Sequence, residues 1–140
     1  MPSKYIPQKI KDEVRKRAKG SCEYCKCLKK FVPGSFACEH INPSVRGGTY
    51  NLDNLAECCS GCNQSKFTAI SAPDPHTNQS VPLYHPRKDN WRDHFKWSED
   101  LLKMEGLTPT GRATIIRLQT NREELINLRK ITIGIGHPPD

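Results

Sequence analysis

The sequence predicts an α+β fold: a β-hairpin and a short helix enclosed by two cysteine pairs, with a basic helix in front and a helical extension behind. Three observations lead there. Cys22-x-x-Cys25 and Cys59-x-x-Cys62 bracket short apolar runs with the spacing of strands. A helical pattern precedes the first pair, and a longer one follows a proline-rich interruption. Only 35% of the 140 residues are apolar, so the core must be small, and small cores are commonly stapled. The expected division is a core over 1–70, a proline-rich linker over 71–90, and a helical extension over 91–140 packed on the core.

Pro7 to Lys19 reads as a helix. Pro7 suits the first turn, Gly20 suits the position past the end, and Ile6, Ile10, Val14 and Arg17 share a side. Phe36 to Ile41 has the alternation of a strand. Asn42 to Asn51 holds Pro43, Gly47 and Gly48 and reads as a connecting loop. Leu52 to Cys58 returns as a second strand, and Cys59 to Ile70 has the length of a short helix. Ser71 to Pro86 contains Pro73, Pro75, Pro82 and Pro86 and predicts a linker or extended arm. Trp91 to Trp97 is aromatic and amphipathic. Thr110 to Lys130 is expected to be helical in two pieces, with Asn121 to Glu124 as a capping box between them. Trp91, Phe95 and Trp97 are expected to pack the extension onto the core, although such rings can also stack on bases.

Charge narrows the function. Residues 1–30 hold ten Lys/Arg against three Asp/Glu, while the remaining 110 balance twelve against twelve. The whole excess of +7 therefore lies in the first 30 residues. Clustered cations suit a polyanion, because neutralising phosphates releases condensed counterions. Lys11, Arg15 and Lys19 on the first helix are the candidate phosphate contacts. The same charge would also serve a solvated helix that only maintains solubility. Met1 to Lys11 is polar and basic, without the apolar run of a secretory signal, and no stretch approaches the ~18 apolar residues of a membrane span. A cytoplasmic protein without a membrane partner is expected.

In a reducing compartment, paired cysteines serve metals more often than disulfides. Two C-x-x-C knuckles let Cys22, Cys25, Cys59 and Cys62 close a tetrahedral thiolate shell of the kind that holds structural zinc. Of the other three cysteines, Cys38 falls in a strand pattern and is expected in the core. Cys27 and Cys58 flank the knuckles and stay open as ligands, with the symmetric set favoured.

Glu39-His40-Ile41 lies between the knuckles, followed by Asp53-Asn54-Leu55 and then by Cys62-Asn63-Gln64-Ser65-Lys66. Together with Gly20-Ser21-Cys22-Glu23-Tyr24-Cys25, and in this order, these residues resemble the HNH endonuclease family of the ββα-metal class. The resemblance runs from about Arg17 to Lys66 and is to the zinc-braced subtype. It implies a β-hairpin and helix around a catalytic divalent cation held by Glu39 and Asn63, with His40 as general base. It further implies that Asn54 holds the loop after His40 and that Lys66 contacts phosphate. Two positions depart from the commonest pattern: Asn63 stands where His is usual, and Glu39 stands where Asp is usual. Tyr84 to Lys130, with His85-Pro86-Arg87, His94-Phe95 and Gly111-Arg112-Ala113-Thr114, also looks like the C-terminal extension of some bacterial HNH proteins.

The chemistry explains the residue types. Phosphodiester hydrolysis needs a base active at neutral pH, which imidazole supplies, and relief of charge on the departing oxygen, which a divalent cation supplies. Oxygen ligands suit Mg²⁺ or Mn²⁺. The implied activity is cleavage of DNA to 5′-phosphate and 3′-hydroxyl ends, with RNA still open as a substrate and the oligomeric state not given. The alternative is a four-cysteine zinc module that binds nucleic acid without cutting it. A zinc-stapled interaction domain with no nucleic-acid role is a third reading, but it leaves the clustered charge unused.

Overall fold

The computed structural model of the chain describes residues 5–139. Helix α1 covers Gln8–Ala18 and ends in a left-handed cap at Lys19. Its apolar side buries Val14 against Ile6 and Leu55, with Ile10 and Cys38 at the margin. Arg17 reaches across to donate to the Leu55 carbonyl at 2.5 Å, which ties the helix to the strand below it.

The centre of the molecule is a hairpin and a helix. Strand β1 (Ala37–His40) pairs antiparallel with β2 (Leu55–Cys58), with Ala37 opposite Cys58 and His40 opposite Leu55. Helix α2 (Ser60–Lys66) follows directly and packs on β1. The second strand is shorter than the sequence pattern predicts. Leu52–Asn54 forms a 3₁₀ turn instead, because the Asn54 side chain is engaged by the preceding loop. A second 3₁₀ turn covers Ser44–Arg46. Gly48 is required where this loop folds back, since a Cβ there would lie 1.7 Å from the Asn42 carbonyl oxygen.

The proline-rich stretch, expected as a linker or an extended arm, contains a paired hairpin. Strands β3 (Ser71–Pro73) and β4 (Ser80–Pro82) form a hairpin. Its turn is organised by Asp74, which is fully buried and accepts two hydrogen bonds from Arg112 at 2.9 and 3.0 Å. Asp74 also accepts from the His76 amide and the Thr77 hydroxyl at 3.2 Å within its own turn, but its charged partner Arg112 is 38 residues away.

Beyond it, α3 (Trp91–His94) is a single turn that runs into β5 (Phe95–Trp97), paired with β6 (Met104–Gly106). Helix α4 (Pro109–Leu118) begins with Thr108 as N-cap, accepting from the Gly111 amide, and with Pro109 in the first turn. Helix α5 covers Glu123–Gly134. The expected capping box at Asn121 does not form. The Asn121 amide bonds both the amide and the carbonyl of Met104, locking β6 to the α4–α5 turn. Trp91 and Phe95 are buried with Trp97 beside them, ring centroids 5.1 and 5.5 Å apart, in a core continuous with the cysteine knuckles. Among the described residues no helix is long and apolar enough to cross a membrane.

Candidate active site and metal centre

The four cysteines predicted as a set converge. Cys22 and Cys25 come from the turn after α1, and Cys59 and Cys62 from the start of α2. All four are buried, with sulfurs within 4.8 Å of one another. A tetrahedron with metal–sulfur bonds of about 2.3 Å has an edge of about 3.8 Å. The Cys25 and Cys59 sulfurs lie 3.8 Å apart. The cluster therefore fits one closed, four-thiolate metal site. Cys27 and Cys58 fall outside it, and the Cys58 thiol instead faces the Cys59 carbonyl at 3.4 Å.

Arg122, which carried no signal in the sequence, joins this centre from the start of α5. Its guanidinium donates to the Cys59 sulfur at 3.5 Å and the Cys62 sulfur at 3.7 Å, and also to the Leu118 and Gln119 carbonyls. Gly61 makes room for it, because a Cβ there would lie 2.4 Å from Nη2. With a divalent ion bound, four thiolates would leave net negative charge, which the Arg122 guanidinium would offset.

Glu39, His40 and Asn63 line one cavity of about 240 Å³ at the free edge of β1, together with Cys38, Ser44 and Phe67. Alternation along β1 turns Glu39 toward the interior and His40 to the opposite face. Glu39 is only 6% exposed. It accepts from the Tyr24 hydroxyl at 2.5 Å and pairs with the Lys66 ammonium at 3.3 Å. Burial pushes the Glu39 carboxyl up, against the opposing pull of Lys66 and Tyr24. His40 is pushed down by burial and by the Lys66 charge, so its neutral form prevails at neutral pH. Its Nε2 is buried and has no hydrogen-bond partner among the described residues. A neutral imidazole with an unpartnered ring nitrogen can accept a proton once water reaches it.

Asn54 lies outside this cavity and acts on the loop. Its Oδ1 accepts from the Asn42 amide at 2.8 Å, and its Nδ2 donates to the carbonyls of Asn42 and Thr49 at 3.0 and 2.7 Å. The loop that follows His40 is thereby closed on itself.

Lys66 departs most from its expected role. It is 1% exposed and donates to the Ile41 carbonyl at 2.9 Å as well as pairing with Glu39. Its ammonium is spent inside the hairpin–helix unit, so the expected surface phosphate contact is replaced by an internal one. The α1 cations divide. Lys11, Arg15 and Arg17 act electrostatically on Cys38, which lines the His40 cavity, and Arg15 also pairs with Glu57 at 3.5 Å. Lys19 lines a different cleft, of about 370 Å³, with Lys26 and Arg129.

Two residues that bear on the cavity, Tyr24 through Glu39 and Phe67 in its wall, were not assigned a site role from the sequence. Tyr24 sits between the first two cysteines, where its position within a knuckle was the only available signal. Phe67 caps α2 at φ 51° and ψ −121°. A non-glycine residue in such a region costs on the order of 1–3 kcal/mol.

Residues 22–68 match the HNH endonuclease family model. The matched span begins at the first knuckle and ends just past α2, so it contains the metal centre, the β1–β2 hairpin and every residue of the His40 cavity. This HNH segment is the four-cysteine kind. No curated protein and no solved structure matches the chain.

Proposed function

We propose that this protein is a metal-dependent endonuclease that hydrolyses DNA phosphodiester bonds, with zinc in the four-cysteine centre. The observation that carries this reading is the convergence of Glu39, His40 and Asn63 on one cavity within the HNH segment, where His40 Nε2 has no partner of its own. Glu39 and Asn63 offer the oxygen donors that suit Mg²⁺ or Mn²⁺, which commonly bind through one or two protein oxygens plus water and substrate phosphate. When bound there, such an ion would polarise the phosphate and stabilise the 3′ leaving oxygen.

His40 takes the proton from the attacking water, and Asn54 keeps the adjoining loop in place. Tyr24 and Lys66 fix the Glu39 carboxylate, each spending one of its oxygens but leaving lone pairs free. Lys11 and Arg15 steer the phosphate backbone toward the cavity, while Lys19 stands apart from it. The products are 5′-phosphate and 3′-hydroxyl ends.

The Lys66–Glu39 pair favours a second reading, because it partly neutralises the carboxylate that would draw the cation. In that reading the protein binds nucleic acid without cutting it. Plasmid cleavage with and without Mg²⁺ or Mn²⁺, followed by analysis of the ends, separates the two. His40→Ala is expected to lower the cleavage rate by ~10²–10⁴-fold while zinc content and duplex affinity stay near the parent's. Equal rates for parent and variant would remove His40 as the base and leave the binding module.

A further inference from the structure

Phe67 follows Asn63-Gln64-Ser65-Lys66 at the end of α2 and is 72% exposed, more than any other large apolar side chain among the described residues. Its backbone conformation is one that glycine enters freely and a residue with a Cβ does not. Packing within the chain repays neither cost, since the ring belongs to neither apolar cluster. Strained residues of this kind collect at ligand sites, where the return comes from the ligand.

Phe67 lines the same cavity as Glu39, His40 and Asn63. The exposed Arg46 donates to the Thr68 carbonyl at 2.8 Å, which sets a positive charge at the residue that follows Phe67. Exposed aromatic rings combined with nearby positive charge are how proteins hold unpaired bases, because every base has a π-face and every nucleotide a phosphate. A protein partner would need a broad apolar surface, whereas the ring's neighbours in the cavity are mostly polar.

We propose that Phe67 is a stacking platform for an unpaired nucleobase next to the phosphate received by the Glu39–His40–Asn63 cavity, so that single-stranded or locally unpaired nucleic acid is the preferred substrate. The inference rests on the nuclease reading above. Bases inside a duplex are already stacked on both faces and must first be extracted, whereas unpaired bases are available at once.

Binding of the full chain, metal-loaded and with Ca²⁺ in place of Mg²⁺, is measured on oligo(dT) of about 12 nucleotides and on a fully paired duplex. Phe67→Gly is expected to weaken oligo(dT) binding by about 5- to 150-fold, the range of one base–aromatic stack, with a smaller effect on the duplex. Its melting temperature is expected to be unchanged or higher, since glycine relieves the backbone. Phe67→Trp is expected to keep the affinity, and its added emission to be quenched on binding.

Equal affinity of parent and Phe67→Gly would overturn the proposal while leaving the nuclease reading intact. So would an equal loss on both probes, or a melting temperature lowered by more than about 5 °C, which would assign the ring to packing. Failure of the parent to bind either probe would remove the nucleic-acid reading itself and this inference with it.

Discussion

Residues 22–66 and residues 71–134 each form a small unit of short strands and helices, but different chemistry holds them. The first unit has two four-residue strands and a seven-residue helix, and its ends meet in four buried cysteines that fit one metal ion. In the second, buried polar groups act as cross-links between distant segments. Asp74 is bonded to Arg112, Thr114 accepts from the Tyr84 amide, Asn121 brackets Met104, and Arg129 reaches the Leu102 and Thr120 carbonyls. An aromatic cluster of Tyr84, Trp91, Phe95 and Trp97 fills the space between. A metal brace concentrates stability in a few atoms, while polar cross-links distribute it over many. The unit that carries the candidate active site is the one that depends on the few.

Removing the metal is expected to have the largest effect. Structural zinc sites contribute apparent binding energies of about 10–16 kcal/mol, and that energy is folding energy. Hydrogen exchange after chelation should show residues 22–66 losing protection first, with β3, β4 and α4 following later. Simultaneous loss across both units would mean that they form one cooperative block.

Trp91→Ala tests the joint between them and is expected to rank second. The Trp91 indole donates to the Tyr24 carbonyl at 3.1 Å, and its ring packs on Phe95 and Trp97. Truncating a buried tryptophan costs about 3–5 kcal/mol. Urea denaturation of the metal-loaded variant should reveal that loss with zinc content unchanged. A loss below about 1 kcal/mol would place the joint elsewhere.

Arg122→Ala is expected to have the smallest global effect and the most local one. Partners that hydrogen-bond a metal's own ligands are typically worth 10–100-fold in metal affinity. Competition with a chromophoric chelator should show a weakening of that order, with unfolding of the loaded protein little changed. An unaltered zinc affinity would make the guanidinium a bystander that bonds only the α4 carbonyls.

The metal-braced unit was largely legible in the sequence because its chemistry is local. Cys22-x-x-Cys25 and Cys59-x-x-Cys62 each place two ligands within one turn, and Glu39-His40 and Cys62-Asn63 set the remaining polar groups against that frame. The hairpin within 71–86 was not legible for the opposite reason. Prolines at 73, 75 and 82 suggest extended chain, and the buried Asp74 carboxylate that closes the hairpin is neutralised by the distant Arg112 in addition to its local bonds from His76 and Thr77. A separation of 17 residues likewise hid the use of Asn121, whose spacing to Glu124 matches a helix cap but whose amide is claimed by Met104.

By itself the sequence determined the α+β class, the four cysteines that converge, the concentration of charge before residue 30, and the order Glu39, His40, Asn54, Asn63. These follow from residue type and short spacing, which a chain carries before it folds. Only the tertiary structure decided that Lys66 is spent on Glu39 and Ile41, that Lys19 lies on a cleft apart from Lys11 and Arg15, and that Arg122 reaches the thiolates. A long side chain can turn outward to solvent or inward to a partner. The choice depends on which unpaired carboxylate, carbonyl or sulfur the fold brings within reach, and that is a property of the packed molecule.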